Sequence, residues 1–520
     1  MYDLVFRNAR VLDGTGAPWF RADVAVKDGF VAKVGKVETE SVKDIDASGK
    51  YVSPGFIDAH SHSDLPLVVN PTADSKVMQG VTVEVIGQCG SSGAPRNMGL
   101  REQEDETARE AGADIPQWTD MASYLDVLES QGVSLNVVPL VGHGTVRRQV
   151  MGSEKREPTP EELEQMKRLV AESMEQGAFG MSSGLIYIPG TYAKTGEVIE
   201  LAKVASRYGG IYFTHIRNES DRLLEALEEA IHIGFEAGLP VQVSHFKVMG
   251  QPNWGMVKQS IAMVEKARAD GLDITADQYP YIASSTGLGA TIPSSTWTGN
   301  PRSPERFRDP VERKKILEAY RARGNWDKIQ IASLSHPEDQ QFIGKTVEEV
   351  GKIQGIPSEE AALGLMERNG GVVQIVNFAM CENDVRMVMS QPWIMAGSDG
   401  RAFNAATPKG QPHPRSYGTF VRILGRYVRE YKVLRLEEAV RKMTSLPAMR
   451  LGLQDRGLVR EGMRADLVMF DADTVLDNAT FTDPHRYPSG IDYVLVNGQI
   501  VVENGKHNGE RPGLVIRHRQ

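Results

Sequence analysis

Eight short apolar runs, each ending in polar or titratable residues, narrow the fold of this chain more than any other feature. In order they are GFIDAHSH (55–62), VTVEVIGQCG (81–90), LNVVPLVGHG (135–144), AFGMSSGLIY (178–187), IYFTHI (211–216), PVQVSHFK (240–247), DITADQYP (273–280) and PWIMAGSDG (392–400). Runs of this length bounded by turn residues suit buried strands. Helical patterns such as TPEELEQMKRLVAESMEQG and RLLEALEEAIHIGFEAG lie between them, the first opening with Thr and Pro and both closed by Gly. Such alternation predicts an α/β fold, and eight units in series predict a (β/α)8 TIM-type barrel with its chemistry at the C-terminal ends of the strands. A doubly wound open sheet is the alternative. The pattern of candidate metal ligands disfavours it.

The chain ends have a different texture. LVFRNARVL, ADVAVKDGFVAKVG and KDIDASGKYVSPG near the start, and RADLVMFDADTV and DYVLVNGQIVVENGK near the finish, are short Val-rich runs punctuated by Gly and Asp. They predict a small β-sandwich built from residues 1–54 and 455–520, flanking a catalytic barrel over 55–454. One connection is too long to lack structure. Residues 285–390 hold STWTGNPRSPERF, a helical pattern near 310–322, and the strand candidates QIASLSHP and VVQIVNFAM. They predict a subdomain inserted over the barrel mouth.

Composition sets the setting. Hydrophobic residues at 41% and charged residues at 24% fit a globular chain with a sizeable core. A net charge of −9 gives no basic footprint for nucleic acid or an anionic membrane. The start, MYDLVFRNARVLDG, lacks the basic and apolar regions of a signal peptide, and no later stretch is apolar for about 18 residues. Two cysteines, Cys89 and Cys381, cannot form a disulfide framework. A cytoplasmic protein is expected, with nothing in the sequence to set an oligomeric state.

The strand ends carry the chemistry. His60 and His62 flank Ser61, and alternate residues of a strand face one way, so both imidazoles are expected to point into the barrel. Cys89, His215 and His245 close three later runs. A thiolate with two imidazoles is a sound zinc set that leaves a fourth position open. A lone buried cysteine is usually inert, and barrel histidines are often structural. Five such residues gathered at strand ends favour a metal site. Asp399 closes the last run, where its carboxylate can move a proton between water and a leaving amine; the plainer reading is a turn residue in Ser-Asp-Gly. His143 and Tyr187, ending two further runs, are candidate pocket residues. His232, His336, His485, His507 and His518 fall on helix, loop or tail patterns and suit structural roles.

With these residues in place, the sequence resembles the amidohydrolase superfamily, and within it the N-acyl-D-amino-acid deacylases (D-aminoacylases). The resemblance runs through PGFIDAHSHSD, GVTVEVIGQCGSSGAP, LVGHGTVR, GMSSGLIYIPGTYA, THIRNE, VSHFK, DQYPYIASST, GSDG and HPRSYGTF, and so covers nearly the whole chain. It implies that Cys89 stands where many relatives have a metal-bridging carbamylated lysine. It implies one tightly held zinc on Cys89, His215 and His245, a weaker second site at His60 and His62, and Asp399 as general acid and base. Lys247, Tyr279, Ser285 and Arg415 would grip the substrate's α-carboxylate, a sound clamp of cations and hydroxyls. The implied reaction is hydrolysis of an N-acyl-D-amino acid to a carboxylate and a free D-amino acid; the handedness comes from the family alone. Gln88 departs from the Asn common there. A cyclic hydantoin-like amide or a dipeptide is the alternative substrate, and Lys247 and Arg415 favour one with a free carboxylate. No further cation can be placed in the substrate's side-chain pocket, which favours neutral substrate side chains.

Overall fold

Val-rich alternation at the N-terminus becomes β1 (Tyr2–Val11), β2 (Phe20–Lys27), β3 (Phe30–Gly35), β4 (Ser41–Asp46) and β5 (Tyr51–Pro54). The computed structural model describes residues 1–96, 115–292, 296 and 304–518. Next come the staves of a barrel: β6 (Phe56–Asp58), β7 (Val81–Ile86), and a third stave split at Leu140 into β8 (Asn136–Pro139) and β9 (Val141–Gly142). They continue as β10 (Gly180–Gly184), β11 (Ile211–His215), β12 (Val241–Val243) and β13 (Ile274–Gln278). Every pairing among them is parallel, from β6–β7–β8 through β9–β10–β11–β12–β13.

An excursion separates β13 from the last stave. Strands β14 (Ser284–Gly287), β15 (Ile329–Ser333) and β16 (Gln374–Asn377) form an antiparallel sheet in the order β14-β16-β15. The helices Pro310–Arg323, Val347–Gln354 and Ser358–Arg368 accompany it. Leu288, Ile316, Tyr320, Ile331 and Met366 give the excursion an apolar core of its own. Part of STWTGNPRSPERF lies outside the described residues. The final stave, β17 (Ile394–Ala396), pairs with β13, and a parallel bridge between Ser61 and Gly400 closes the ring back onto the end of β6. The staves are buried along their length, as a parallel sheet covered by helices requires. Those helices begin where the sequence signals them. Thr159 and Glu162 form a reciprocal cap on Pro160–Glu175, and Leu223–Ala237 stops at Gly238 in the left-handed region.

The chain then returns to its beginning. Strands β18 (Leu467–Phe470), β19 (Ile491–Val496), β20 (Gln499–Glu503) and β21 (Lys506–His507) join the N-terminal strands in one nine-stranded sheet, ordered β21-β20-β19-β18-β5-β1-β2-β3 with β4 beside β1. The seam is the antiparallel β5–β18 pair, from Leu467 opposite Pro54 to Phe470 opposite Tyr51. The last residues depart from expectation: they leave this sheet and run along β8, with the Val137 N–H bonding the Leu514 carbonyl (2.9 Å) and Ile516 returning to Val137 (2.8 Å). The break at Leu140 leaves β8 without a strand on that side, since β9 pairs with β10 instead, and the tail fills the gap. Among the described residues no helix is long and apolar enough to cross a membrane.

Candidate metal centre

Three of the expected site residues sit in backbone conformations that L-residues rarely adopt. Cys89, His245 and Asp399 have φ of 54°, 36° and 51°. Each such residue costs on the order of 1–3 kcal/mol, and such strain clusters at functional sites. The loop carrying Cys89 also depends on what its neighbours lack. A Cβ on Gly184 would stand 2.1 Å from the Cys89 carbonyl oxygen, and one on Gly142 would stand 2.5 Å from that of Gly90.

β6 stops at Asp58, so His60 and His62 lie beyond the strand whose alternation was expected to aim them. Their place is set instead by the segment that follows β17, through His62 N–H to Gly400 O (2.8 Å) and Asp399 N–H to His60 O (2.8 Å). Both rings still reach one carboxylate: Asp399 Oδ1 is 3.5 Å from His60 Nε2 and 3.0 Å from His62 Nε2. Cys89 Sγ lies 3.4 Å from His60 Nε2 and 3.4 Å from His245 Nε2. Ligand atoms of His60, Cys89, His245 and Asp399 fall within 4.8 Å of one another, and those of His215, Glu219 and His245 form a second such group. His245 belongs to both, and its ring centroid is 4.3 Å from that of His215.

The charges suit a metal. Burial pushes the Cys89 thiol up, but the imidazoles of His60 and His245 outweigh it and hold the thiol well below its ordinary range. The thiolate is the form that binds metal. Burial likewise works against ionised Asp399, and the Arg415 guanidinium overrides it, holding the carboxyl well below the usual range. His215 is buried with neither ring nitrogen hydrogen-bonded, an arrangement a coordinated ion would satisfy.

Two carboxylates that the sequence did not single out stand behind these ligands. Asp277, at the end of β13, lies 3.1 Å from His60 Nδ1 and accepts from the His245 backbone N–H (2.8 Å) and from Gln242 (3.0 Å). Glu219 lies 2.9 Å from His245 Nδ1 and 3.6 Å from His215 Nε2. Backing of this kind fixes ring orientation and raises ligand basicity. Both residues sit inside motifs already quoted, DITADQYP and THIRNE, and their spacing on the strand ends was the available signal.

The carboxylate-binding candidates surround the cluster. Arg415 Nη1 is 2.6 Å from Asp399 Oδ2, its guanidinium lies 4.8 Å over the Tyr279 ring, and Nη2 donates to the Ser285 carbonyl (3.3 Å). Lys247 Nζ lies 2.5 Å from Glu219 Oε1 and 2.7 Å from His245 Nδ1. The Tyr279 hydroxyl is buried with no hydrogen-bond partner. Tyr187 packs edge-on against His215, with its hydroxyl 3.2 Å from Thr286 on β14. Gln88 turns away and donates to the Ala59 carbonyl (3.0 Å).

His143, expected to line the pocket, opens a helix and is fully buried, with Nε2 2.9 Å from Glu197, which also engages Arg147. That carboxylate is carried by the neighbouring helix Thr195–Arg207.

Comparison with known proteins agrees with this geometry. Residues 43–502 match the amidohydrolase family. Over 516 residues the chain is 38% identical to the N-acyl-D-glutamate deacylase of Alcaligenes xylosoxydans xylosoxydans, covering 99% of this chain and 96% of that protein. It is 36% identical over 516 residues to the D-aminoacylase of the same organism, covering 99% and 97%. Among solved structures, the N-acyl-D-glutamate deacylase of Bordetella bronchiseptica, complexed with zinc and a phosphonate mimic of the tetrahedral intermediate, superposes with a TM-score of 0.85 at 35% identity, covering 99% of each chain.

Proposed function

The chain belongs to the amidohydrolase family, beside enzymes that deacylate N-acyl-D-amino acids, and from that premise we propose that it hydrolyses the amide bond of N-acyl-D-amino acids with zinc, releasing a carboxylate and a free D-amino acid. The observation that carries this reading is the convergence of a thiol, four imidazoles and Asp399 on two adjoining groups that share His245, with Arg415 and Lys247 beside them. Cys89, His215 and His245 would hold the tightly bound zinc, and His60 and His62 a weaker second ion. Bound there, zinc supplies Lewis acidity toward an amide carbonyl and toward water.

The rest of the work falls to side chains. Asp399, ionised at neutral pH, takes a proton from the attacking water and returns it to the departing amine nitrogen. Asp277 and Glu219 hold His60 and His245 from behind. Arg415, Lys247 and the hydroxyls of Tyr279 and Ser285 take the α-carboxylate, and Tyr187 walls the His215 side. Arg415 and Lys247 are paired with Asp399 and Glu219, so a substrate carboxylate would share them rather than recruit them from solvent. With carboxylate and amide both fixed, a single pocket for the α side chain would select one enantiomer. A cytoplasmic setting is part of this reading, since Cys89 must remain a free thiolate.

Initial rates on paired N-acetyl-D- and N-acetyl-L-amino acids with neutral and acidic side chains test the proposal. The D series is turned over, and Asp399→Ala lowers kcat about 100- to 10,000-fold, the usual contribution of a general acid–base group. Equal rates on both enantiomers, or activity that survives Asp399→Ala, overturn it.

A further inference from the structure

Beneath the metal centre lies a buried charged cluster that the proposed chemistry does not use. Lys76, on the short helix Asp74–Val77, places its ammonium 2.8 Å from Asp58 Oδ2, 2.8 Å from Glu84 Oε1 and 2.8 Å from Ser398 Oγ. All four residues are completely buried. Asp58 ends β6, Glu84 lies on β7 and Ser398 follows β17, so one cation ties the first, second and last staves together. Burial works against the ammonium, but Asp58 and Glu84 outweigh it and keep it charged.

Asp58 passes this constraint upward. Its Oδ1 accepts from the backbone N–H of His60 (3.2 Å) and of Ser398 (2.8 Å), and its Oδ2 from the Ser398 hydroxyl (2.6 Å). The same hydroxyl oxygen accepts from the Gly400 N–H (3.0 Å). Asp399 is thus gripped on both sides, one residue before and one after, and its own N–H bonds the His60 carbonyl. A buried ion cluster is weak support for stability, because apolar residues of similar volume often do as well. The geometry it imposes is the more informative property.

We propose that Lys76 is a positioning residue which, through Asp58 and Ser398, fixes the Asp399 carboxylate against His60 and His62 for proton transfer. This rests on the reading of Asp399 as the proton carrier. Displacement of a reacting group by about 1 Å can cost about 100-fold in rate.

The test uses the full-length zinc enzyme with N-acetyl-D-amino acid substrates, comparing Lys76→Met and Ser398→Ala with wild type and Asp399→Asn. Lys76→Met lowers kcat about 100-fold per zinc-loaded molecule, with KM within about threefold and an enlarged solvent deuterium isotope effect on kcat. Ser398→Ala, which leaves the Lys76–Asp58–Glu84 cluster intact, moves both quantities the same way by about 10-fold in kcat, and it decides alone should Lys76→Met not fold. In a crystal structure of Ser398→Ala the Asp399 carboxylate is displaced from His62, a readout independent of turnover. A merely structural role lowers the melting temperature and leaves kcat per zinc-loaded molecule unchanged. That result, or an Asp399 left in place in the variant crystal, overturns the proposal. An inactive wild type or an active Asp399→Asn instead overturns the assignment of function, while the crystallographic comparison still judges Lys76.

Discussion

Tyr279 carries a buried hydroxyl with no well-formed hydrogen bond to another described residue, while Arg415 and Lys247 lie 4.8 and 5.8 Å from its ring. A buried donor without a partner weakens the fold, whereas the same donor on a carboxylate is worth roughly 1.5–3 kcal/mol. The two effects have opposite signs in one substitution. Tyr279→Phe is expected to leave the melting temperature unchanged or raise it, and to increase KM for an N-acetyl-D-amino acid by about tenfold or more. Calorimetry paired with steady-state kinetics checks this; a destabilised variant with unaltered KM would count against the clamp. Cys89 teaches a related lesson. Its left-handed φ and the close approach of Gly184 show a backbone strained to present one sulfur, a cost that a merely packed thiol would not explain.

At the scale of elements, the barrel rests on short staves whose starts are pinned from outside. Lys442, on the helix Leu436–Met443, is 2% exposed and donates to the carbonyls of Gln391 and Ile394, where β17 begins. Burial pushes its pKa down to about 7, against the opposing pull of Glu438. An unfolded lysine keeps its proton to about pH 10.4. Below about 7 the folded chain bears the full cost of charging this lysine; between there and about 10 only the unfolded chain holds the proton, so stability rises with pH. Lys442→Met removes that slope. Denaturant midpoints measured from about pH 6 to about pH 9 should show wild type gaining on the variant, and parallel curves would contradict this. The strands were legible in the sequence because a buried parallel strand is a short apolar run whatever surrounds it, and the metal residues because they end such runs. Asp277 and Glu219 were not singled out, since their partners, His60 and His245, arrive from other staves. The helix-borne Glu197 that pairs with His143 was equally unreadable, as was the tail that pairs with β8 where the third stave breaks.

At the scale of the molecule, we propose three units: a composite β-module from residues 1–54 and 455–520, a barrel over 55–454, and the 285–390 insertion above its mouth. The β5–β18 seam supports the first, and Asp466, which bonds Arg456 (2.6 Å), Asn136 of β8 (3.0 Å) and the Asn497 N–H (2.7 Å), ties its C-terminal part to the barrel. Limited proteolysis should therefore release neither chain end as a separate folded fragment, and recovery of such a fragment would refute the composite module. The insertion meets the site through Ser285 and Thr286, so barrel and insertion contribute to one pocket. The central claim is that a thiolate-anchored zinc serves the whole assembly. Zinc content and deacylase activity measured on the same preparations of wild type and Cys89→Ala test it most directly. Wild type is predicted to keep about one zinc through mild chelation, and Cys89→Ala to lose both zinc and activity while remaining folded. Cys89→Ala that retains a full equivalent of zinc would contradict the account.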